Sequence, residues 1–142
     1  LKDFKVMATD ISEQALQPAR LGIYPARRFE MIPEVMRERF GVRLASGDWQ
    51  IHPTLASQVS FQVFNLMDVS TAPFRKLDVV FCQNVLIYFR KFDRRDILDA
   101  LVQRLTLGGL LVLGPGEMSD WRHPQMRRVD YSGTLAFERI KL

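Results

Sequence analysis

One cysteine, two histidines and no long apolar run are the scarcities of this chain, and each removes a class of function. The single thiol, Cys82, excludes an internal disulfide and fits a reducing compartment. Neither His52 nor His123 has a cysteine or histidine partner at ligand spacing, so no metal is expected. No apolar stretch reaches the roughly eighteen residues that a membrane-spanning helix needs, and no membrane insertion is expected. A basic-then-apolar leader is also missing, which gives a cytoplasmic protein as the expectation. There is no serine or cysteine triad, no phosphate-cradling glycine loop, no repeat and no low-complexity tract.

What remains is ordinary globular material. The 142 residues are 47% hydrophobic and 25% charged, enough for one core and inconsistent with bulk disorder. The net charge of +4 is unevenly spread, with Arg20, Arg27, Arg28, Arg37, Arg39 and Arg43 in one stretch. Such a face is a solvated surface or an attractor for an acidic partner, and charge alone does not choose between protein helices and nucleic acid.

Phe4 to Ala8 reads as a strand turning at Thr9-Asp10. Ser12 then caps a helix that stops at Gly22, with Pro18 inside it as a cause of bending or early ending. A second helix is expected from Pro33, as first helical residue, to Phe40. From Phe40 to Ser60 the helical period vanishes, and Val42, Leu44, Trp49 and Ile51 flank the turn-forming Ala45-Ser46-Gly47-Asp48, which predicts a small antiparallel hairpin. Phe61 to Phe64 is a strand, and Leu77 to Cys82 a strand buried on both faces. Asp93 is the expected cap of an amphipathic helix whose inner side is Ile97, Leu98, Leu101, Val102 and Leu105, with Arg94, Arg95, Asp99, Gln103 and Arg104 largely opposite. Gly108-Gly109 ends it and leads into a buried strand, Leu110 to Leu113. Arg128 to Tyr131 and Thr134 to Ile140 form a terminal hairpin around Ser132-Gly133. The expected fold is therefore α/β, a mostly parallel sheet covered on both faces with an antiparallel edge.

Ligands of such sheets bind beyond the carboxyl ends of the strands. Asp10 stands at the first of these ends, where a carboxylate can take ribose hydroxyls; with Ser12 available as cap, the ribose role is preferred to a turn aspartate. Asn65-Leu66 offers an amide beside an apolar side chain, as an adenine ring needs or as an ordinary turn provides. The richest stretch is Phe81-Cys82-Gln83-Asn84-Val85-Leu86-Ile87-Tyr88-Phe89, where a polar pair breaks out of a buried strand. Tyr88 is either a site residue there or a core aromatic with its hydroxyl satisfied. Cys82 is read as a small core residue, not a nucleophile.

Ala8-Thr9-Asp10-Ile11-Ser12, Ala19 to Tyr24, Asn65-Leu66, Phe81 to Phe89, Leu107-Gly108-Gly109-Leu110-Leu111 and Gly114-Pro115-Gly116-Glu117 are similar, in order and spacing, to CheR-type chemotaxis receptor methyltransferases. The resemblance spans nearly the whole of 1–142 and implies a Rossmann-like methyltransferase sheet. It also implies a small β-subdomain inserted at about 40–60, which in some members docks a receptor tail peptide. By resemblance the activity is S-adenosylmethionine-dependent methylation of glutamate carboxylates on methyl-accepting chemotaxis receptors, with S-adenosylhomocysteine as product. Asp10, Asn65, Leu66, Gln83 and Asn84 would bind the cofactor, and Tyr88 would be catalytic, lining the site of methyl transfer. The arginines would suit acidic receptor helices. No nucleic-acid partner is expected, because no Asp/Asn-Pro-Pro-aromatic motif follows the Leu77 strand.

Departures from the family pattern limit the inference. Gln83 stands where the family usually has an arginine, and Pro115-Gly116 where it often has His-Ser. The family's first strand, its glycine-containing loop and its helical N-terminal domain are expected ahead of Leu1. Losing a central strand would leave two buried edges, each unpaired group costing about 1–3 kcal/mol. The chain by itself is thus expected to be an inactive fragment, or to exchange strands with a second copy. The rival reading is a non-catalytic module that kept the sheet and docks an acidic or peptide partner.

Overall fold

The computed structural model describes residues 4–141. Two compact units divide the chain, Leu1–Asn65 and Leu66–Leu142. In the first, β1 (Val6–Asp10) lies parallel to β5 (Val59–Val63), from Val6 opposite Val59 to Asp10 opposite Val63. The strand therefore runs through Thr9 and Asp10, where a turn was expected, because both still have partners on β5. Helix α1 (Glu13–Leu21) follows; the Ser12 hydroxyl accepts the Ala15 N–H at 3.2 Å, as its sequence position indicates. Gly22, at φ +64°, closes it by donating to the carbonyls of Pro18 and Ala19. The helix continues three residues past Pro18, so the proline does not end it early. Caps at both ends and the buried Leu16 side chain hold the helix across the one missing donor.

The expected hairpin is present as β3 (Gly41–Arg43) and β4 (Trp49–Ile51), joined by a turn in which Leu44 N–H donates to Asp48 O at 2.8 Å. A third strand, β2 (Ile23–Tyr24), pairs with the other side of β4 and gives the order β2-β4-β3. Between β2 and β3 lie α2 (Ala26–Phe29) and α3 (Glu34–Phe40). Pro33 sits outside α3 as its N-cap, with φ −52° and ψ 138°, and not as the first helical residue. The buried Phe29 ring stacks on Trp49 at 5.3 Å and 6°, which welds α2 to the sheet. Residues read as irregular also include α4 (Pro53–Ala56), whose first free N–H, that of Thr54, donates to His52 Nδ1.

The second unit is a four-stranded sheet in the order β6-β7-β9-β8. Strands β6 (Leu77–Cys82) and β7 (Leu105–Leu113) are parallel; β9 (Thr134–Arg139) is antiparallel to β7 and to β8 (Met126–Tyr131). Helix α5 (Lys91–Val102) buries Ile97, Leu98, Leu101 and Val102, the side that its apolar spacing indicates. Three expectations around it change. Arg90, not Asp93, is the N-cap; Asp93 lies in the first turn, where a carboxylate meets the positive end of the helix dipole. Arg94 is half-buried and Arg104 buried, both bonded to backbone, so neither lies on the polar, solvated side. The helix stops at Val102, and Leu105 already belongs to β7, with Gly108-Gly109 inside a register shift of that strand.

Arg104 accounts for the early stop. Its guanidinium, on a residue only 3% exposed, donates from Nε and Nη2 to Val69 O at 3.1 and 2.9 Å, and from Nη2 to Ser70 O. These carbonyls belong to a 3-10 helix, Leu66–Thr71, so a residue two past the end of α5 caps another element. Its own carbonyl accepts the Leu77 N–H at 2.9 Å, which starts β6.

Strand β6 is not buried on both faces. Val79 is 45% and Phe81 73% exposed, whereas Cys82 is buried. Among the described residues β6 pairs only with β7, and β1 only with β5. The open edge of β6 is flanked by exposed side chains, so its free backbone groups do not all carry the desolvation cost expected for a buried edge.

Arg104→Met keeps the apolar stem and removes the donors. It is expected to lower stability by about 2–3 kcal/mol through the orphaned Val69 and Ser70 carbonyls, read as a drop in the denaturant midpoint with an unchanged m-value.

Candidate active site

Cys82 faces Leu113 in the register, so the carboxyl ends of β6 and β7 lie side by side. Two turns leave from this point, 83–89 and 114–117, and one side chain joins them. The Glu117 carboxylate, on a residue 5% exposed, accepts the Asn84 N–H at 2.8 Å and the Gly114 N–H at 2.9 Å through Oε2. Its Oε1 accepts the Leu86 N–H at 3.1 Å. Its own N–H donates to Gly114 O at 3.0 Å, which folds residues 114–117 into a tight turn and turns the carboxylate back on the strand ends. Three amide donors are what a buried carboxylate requires.

The close approach explains two residue types. A Cβ on Gly114 would fall on Glu117 Oε2 and lie 3.0 Å from Asn84 Oδ1, so only glycine leaves room. Asn84 has φ +58°, a left-handed conformation that asparagine tolerates better than most side chains. Gln83 donates from Nε2 to Leu113 O at 3.2 Å, a second tie between the strand ends. Leu86 is fully buried and anchors the turn to the core.

On this fixed turn Tyr88 is 81% exposed, and its hydroxyl has no hydrogen-bond partner among the described residues. The core-aromatic alternative is therefore excluded. Asn84, Ile87 and Tyr88 all present exposed surface from the same short segment.

Asp10 and Asn65 occupy the corresponding end of the first unit. Asp10 is the last residue of β1, and its carbonyl accepts the Phe64 N–H at 2.9 Å, which brings the β1 and β5 ends together. Its exposed carboxylate uses Oδ1 on the Ser12 N–H at 2.8 Å. Asp10 thus makes the local turn while Ser12 caps α1. Leu66 begins the 3-10 helix of the second unit. Gln83, Asn84 and Tyr88 are brought together in that unit, and Asp10 and Asn65 in the other. A hollow of about 210 Å³ lined by Met67, Ser70, Asp93 and Asp96 contains none of the predicted site residues.

Sequence reading assigned no role to Glu117. The available signal was its position: a lone acid four residues beyond an apolar strand, in a turn rich in glycine and proline, has little water to face.

Glu117 also acts on Cys82. Burial, and secondarily the Glu117 charge, push the thiol up to about 12 from 9.0. The folded chain keeps its proton above pH 9, where the unfolded chain loses it. Stability is thus expected to fall between about pH 9 and 12, by at most about 1.4 kcal/mol per pH unit from this group. Denaturant titrations at about pH 8 and about pH 10.5 on the parent and Cys82→Ala should show a smaller loss in the variant. An equal loss in both would assign the slope to other groups.

Residues 1–132 match the family described as CheR methyltransferase, SAM binding domain. Chemotaxis protein methyltransferase 1 of Pseudomonas aeruginosa is 39% identical over 115 residues, 80% of this chain and 41% of that protein. The chemotaxis protein methyltransferase of Borreliella burgdorferi is 34% identical over 113 residues, 80% of this chain and 40% of that protein. The chain spans about two fifths of the length of these curated relatives. An rRNA methylase from Streptococcus thermophilus superposes with a TM-score of 0.52 at 11% identity, covering 96% of this chain and 74% of that one. A methyltransferase from Geobacter sulfurreducens gives 0.50 at 15% identity, covering 96% and 59%. These two likenesses show the Rossmann-like methyltransferase fold. The chain belongs to the CheR methyltransferase family, in its S-adenosylmethionine-binding domain.

Proposed function

We propose that the gene product carrying this chain is a cytoplasmic protein-glutamate O-methyltransferase acting on methyl-accepting chemotaxis receptors. The observation that carries this reading is Tyr88, an exposed tyrosine with an unengaged hydroxyl, on a turn fixed at the carboxyl ends of β6 and β7. Family membership supplies the cofactor class, and the names of the relatives supply the chemotaxis setting.

The residues present fit the adenosine half of S-adenosylmethionine. The Asp10 carboxylate is exposed at a strand end with Oδ1 in use, and we assign it the ribose hydroxyls. Asn65 and Leu66 are assigned the edge and face of adenine, and Gln83 and Asn84 are likewise assigned to cofactor binding. When bound, the cofactor supplies an electrophilic methyl group on a positively charged sulfur. A glutamate carboxylate is ionised near neutral pH, so no strong general base is required of the chain. Tyr88 donates its hydroxyl hydrogen to the incoming carboxylate and orients it, and rate enhancement comes from that placement.

The receptor fits the rest of the surface. The arginine-rich stretch from Arg20 to Arg43 attracts acidic receptor helices. Among the described residues β2 and β3 each pair only with β4, and their outer edges could take a receptor tail peptide by strand addition. The 142-residue chain by itself is proposed to be inactive, with its open strand edges exchanging between copies; sedimentation as a stable monomer would count against that exchange.

The complete gene product, incubated with receptor and methyl-labelled S-adenosylmethionine, is expected to yield base-labile ester that releases methanol. Tyr88→Phe is expected to lower kcat by about tenfold to a hundredfold with little change in cofactor affinity. Asp10→Ala should weaken cofactor binding by roughly tenfold or more in calorimetry. No ester from the wild type, or unchanged binding in Asp10→Ala, would overturn the reading.

A further inference from the structure

The turn that carries Tyr88 is held at two ends by opposite charges. Glu117 takes the N–H groups of Asn84 and Leu86, ahead of the tyrosine. On the other side Arg94 donates from Nε to Phe89 O at 2.8 Å and from Nη2 to Ile87 O at 3.2 Å. These carbonyls belong to the residues immediately before and after Tyr88. Around the 3-10 helix Leu86–Tyr88, Tyr88 N–H donates to Val85 O at 3.2 Å and Phe89 N–H to Leu86 O at 3.0 Å.

The location of Arg94 is not explained by the stability of α5. A cation in the first turns of a helix opposes the helix dipole, at a cost of a few tenths of a kcal/mol or more. Nor does Arg94 appear in an ion pair among the described residues. Its hydrogen bonds go instead to the end of the 3-10 helix, where carbonyls lack partners and a fork of fixed geometry can span two of them. Tyr88 makes no hydrogen bond through its own hydroxyl among the described residues and is 81% exposed. Side-chain contacts therefore do little to aim it, and the backbone at 87–89 does.

We propose that Arg94 is a positioning residue for Tyr88, acting through the Ile87 and Phe89 carbonyls while Glu117 holds the preceding amides. This rests on the methyl-transfer role given to Tyr88 above. It predicts an effect on the chemical step and not on cofactor binding, because the hydrogen bonds of the Arg94 guanidinium go to the turn.

The test uses the complete gene product with Arg94→Gln, Tyr88→Phe and the double variant. Arg94→Gln is expected to lower kcat by about tenfold, with receptor KM and S-adenosylhomocysteine affinity changed by less than about twofold. In the Tyr88→Phe background the same change should cost less than about twofold, since a residue acting through the hydroxyl has nothing left to position. Additive losses, or a loss confined to KM or to cofactor affinity, overturn the proposal. Amide hydrogen exchange gives a readout free of catalysis. Arg94→Gln should speed exchange at Tyr88 and Phe89 by roughly tenfold and leave Leu111 to Leu113 unchanged. If the wild type transfers no methyl group, the proposed function fails, and the exchange arm still decides whether Arg94 orders the turn. Unchanged exchange there overturns the positioning claim.

Discussion

A carboxylate shut away from water costs several kcal/mol unless donors surround it, and the Glu117 carboxylate meets that condition in one arrangement. Its three donors come from two different turns, Asn84 and Leu86 on one and Gly114 on the other. Satisfying the charge therefore means bringing the ends of β6 and β7 to a single relative position. The glycine at 114, the left-handed backbone at 84 and the burial of Leu86 follow from that requirement. Burial, with the Glu117 charge as a second cause, keeps the neighbouring Cys82 thiol protonated, so a nucleophile next to the candidate site stays inert.

The second unit uses arginines, Arg104 and Arg139 buried and Arg94 half-buried, in the complementary way. Arg104 closes the 3-10 helix Leu66–Thr71, Arg94 closes the one at Leu86–Tyr88, and Arg139 donates to Leu105 O at 2.6 Å from Nη1. Each guanidinium meets carbonyls that regular secondary structure leaves without donors. Irregular backbone at strand and helix ends is thus stabilised by side-chain charge, and it is irregular backbone that presents Asn84 and Tyr88. A continued strand would alternate its side chains and send the adjacent Ile87 and Tyr88 to opposite faces, whereas on this turn both are exposed.

Apolar spacing made some of this legible. The inner side of α5 was readable at Ile97, Leu98, Leu101 and Val102, because burial along a helix repeats with its turn. Ser12 and Gly22 were readable as caps because each acts within a few residues of itself. What local pattern does not record is where a polar group's distant partner lies. Arg104, 34 to 35 residues from the carbonyls it caps, ended α5 earlier than the Gly108-Gly109 signal suggested. Arg94 looked like solvent-facing charge because its acceptors lie on the preceding turn, off the helix altogether. The apolar run Leu77–Cys82 reads as doubly buried from composition, yet Val79 and Phe81 are open, since composition does not say whether a neighbour is present to cover them. The family resemblance located Asn84 and Tyr88 but said nothing of what holds them.

Exposure of Tyr88 and rigidity of its turn are two halves of one physical solution. In the role proposed for Tyr88, a side chain that meets a second protein's carboxylate has to reach out of the core, where contacts can no longer fix its direction. Order has then to be supplied from behind, through the backbone. A turn of this length has few hydrogen bonds of its own, and water competes for every exposed group. Charged partners, the buried Glu117 and the half-buried Arg94, answer this, since charge-assisted bonds are about twice as strong as neutral ones and burial weakens the competition from water. Negative charge at the amide end and positive charge at the carbonyl end also match the direction of the peptide dipoles in the 3-10 helix Leu86–Tyr88. Reversing either charge would oppose that dipole and strand its partners, so the signs at positions 94 and 117 are set by the direction in which the chain runs through the turn.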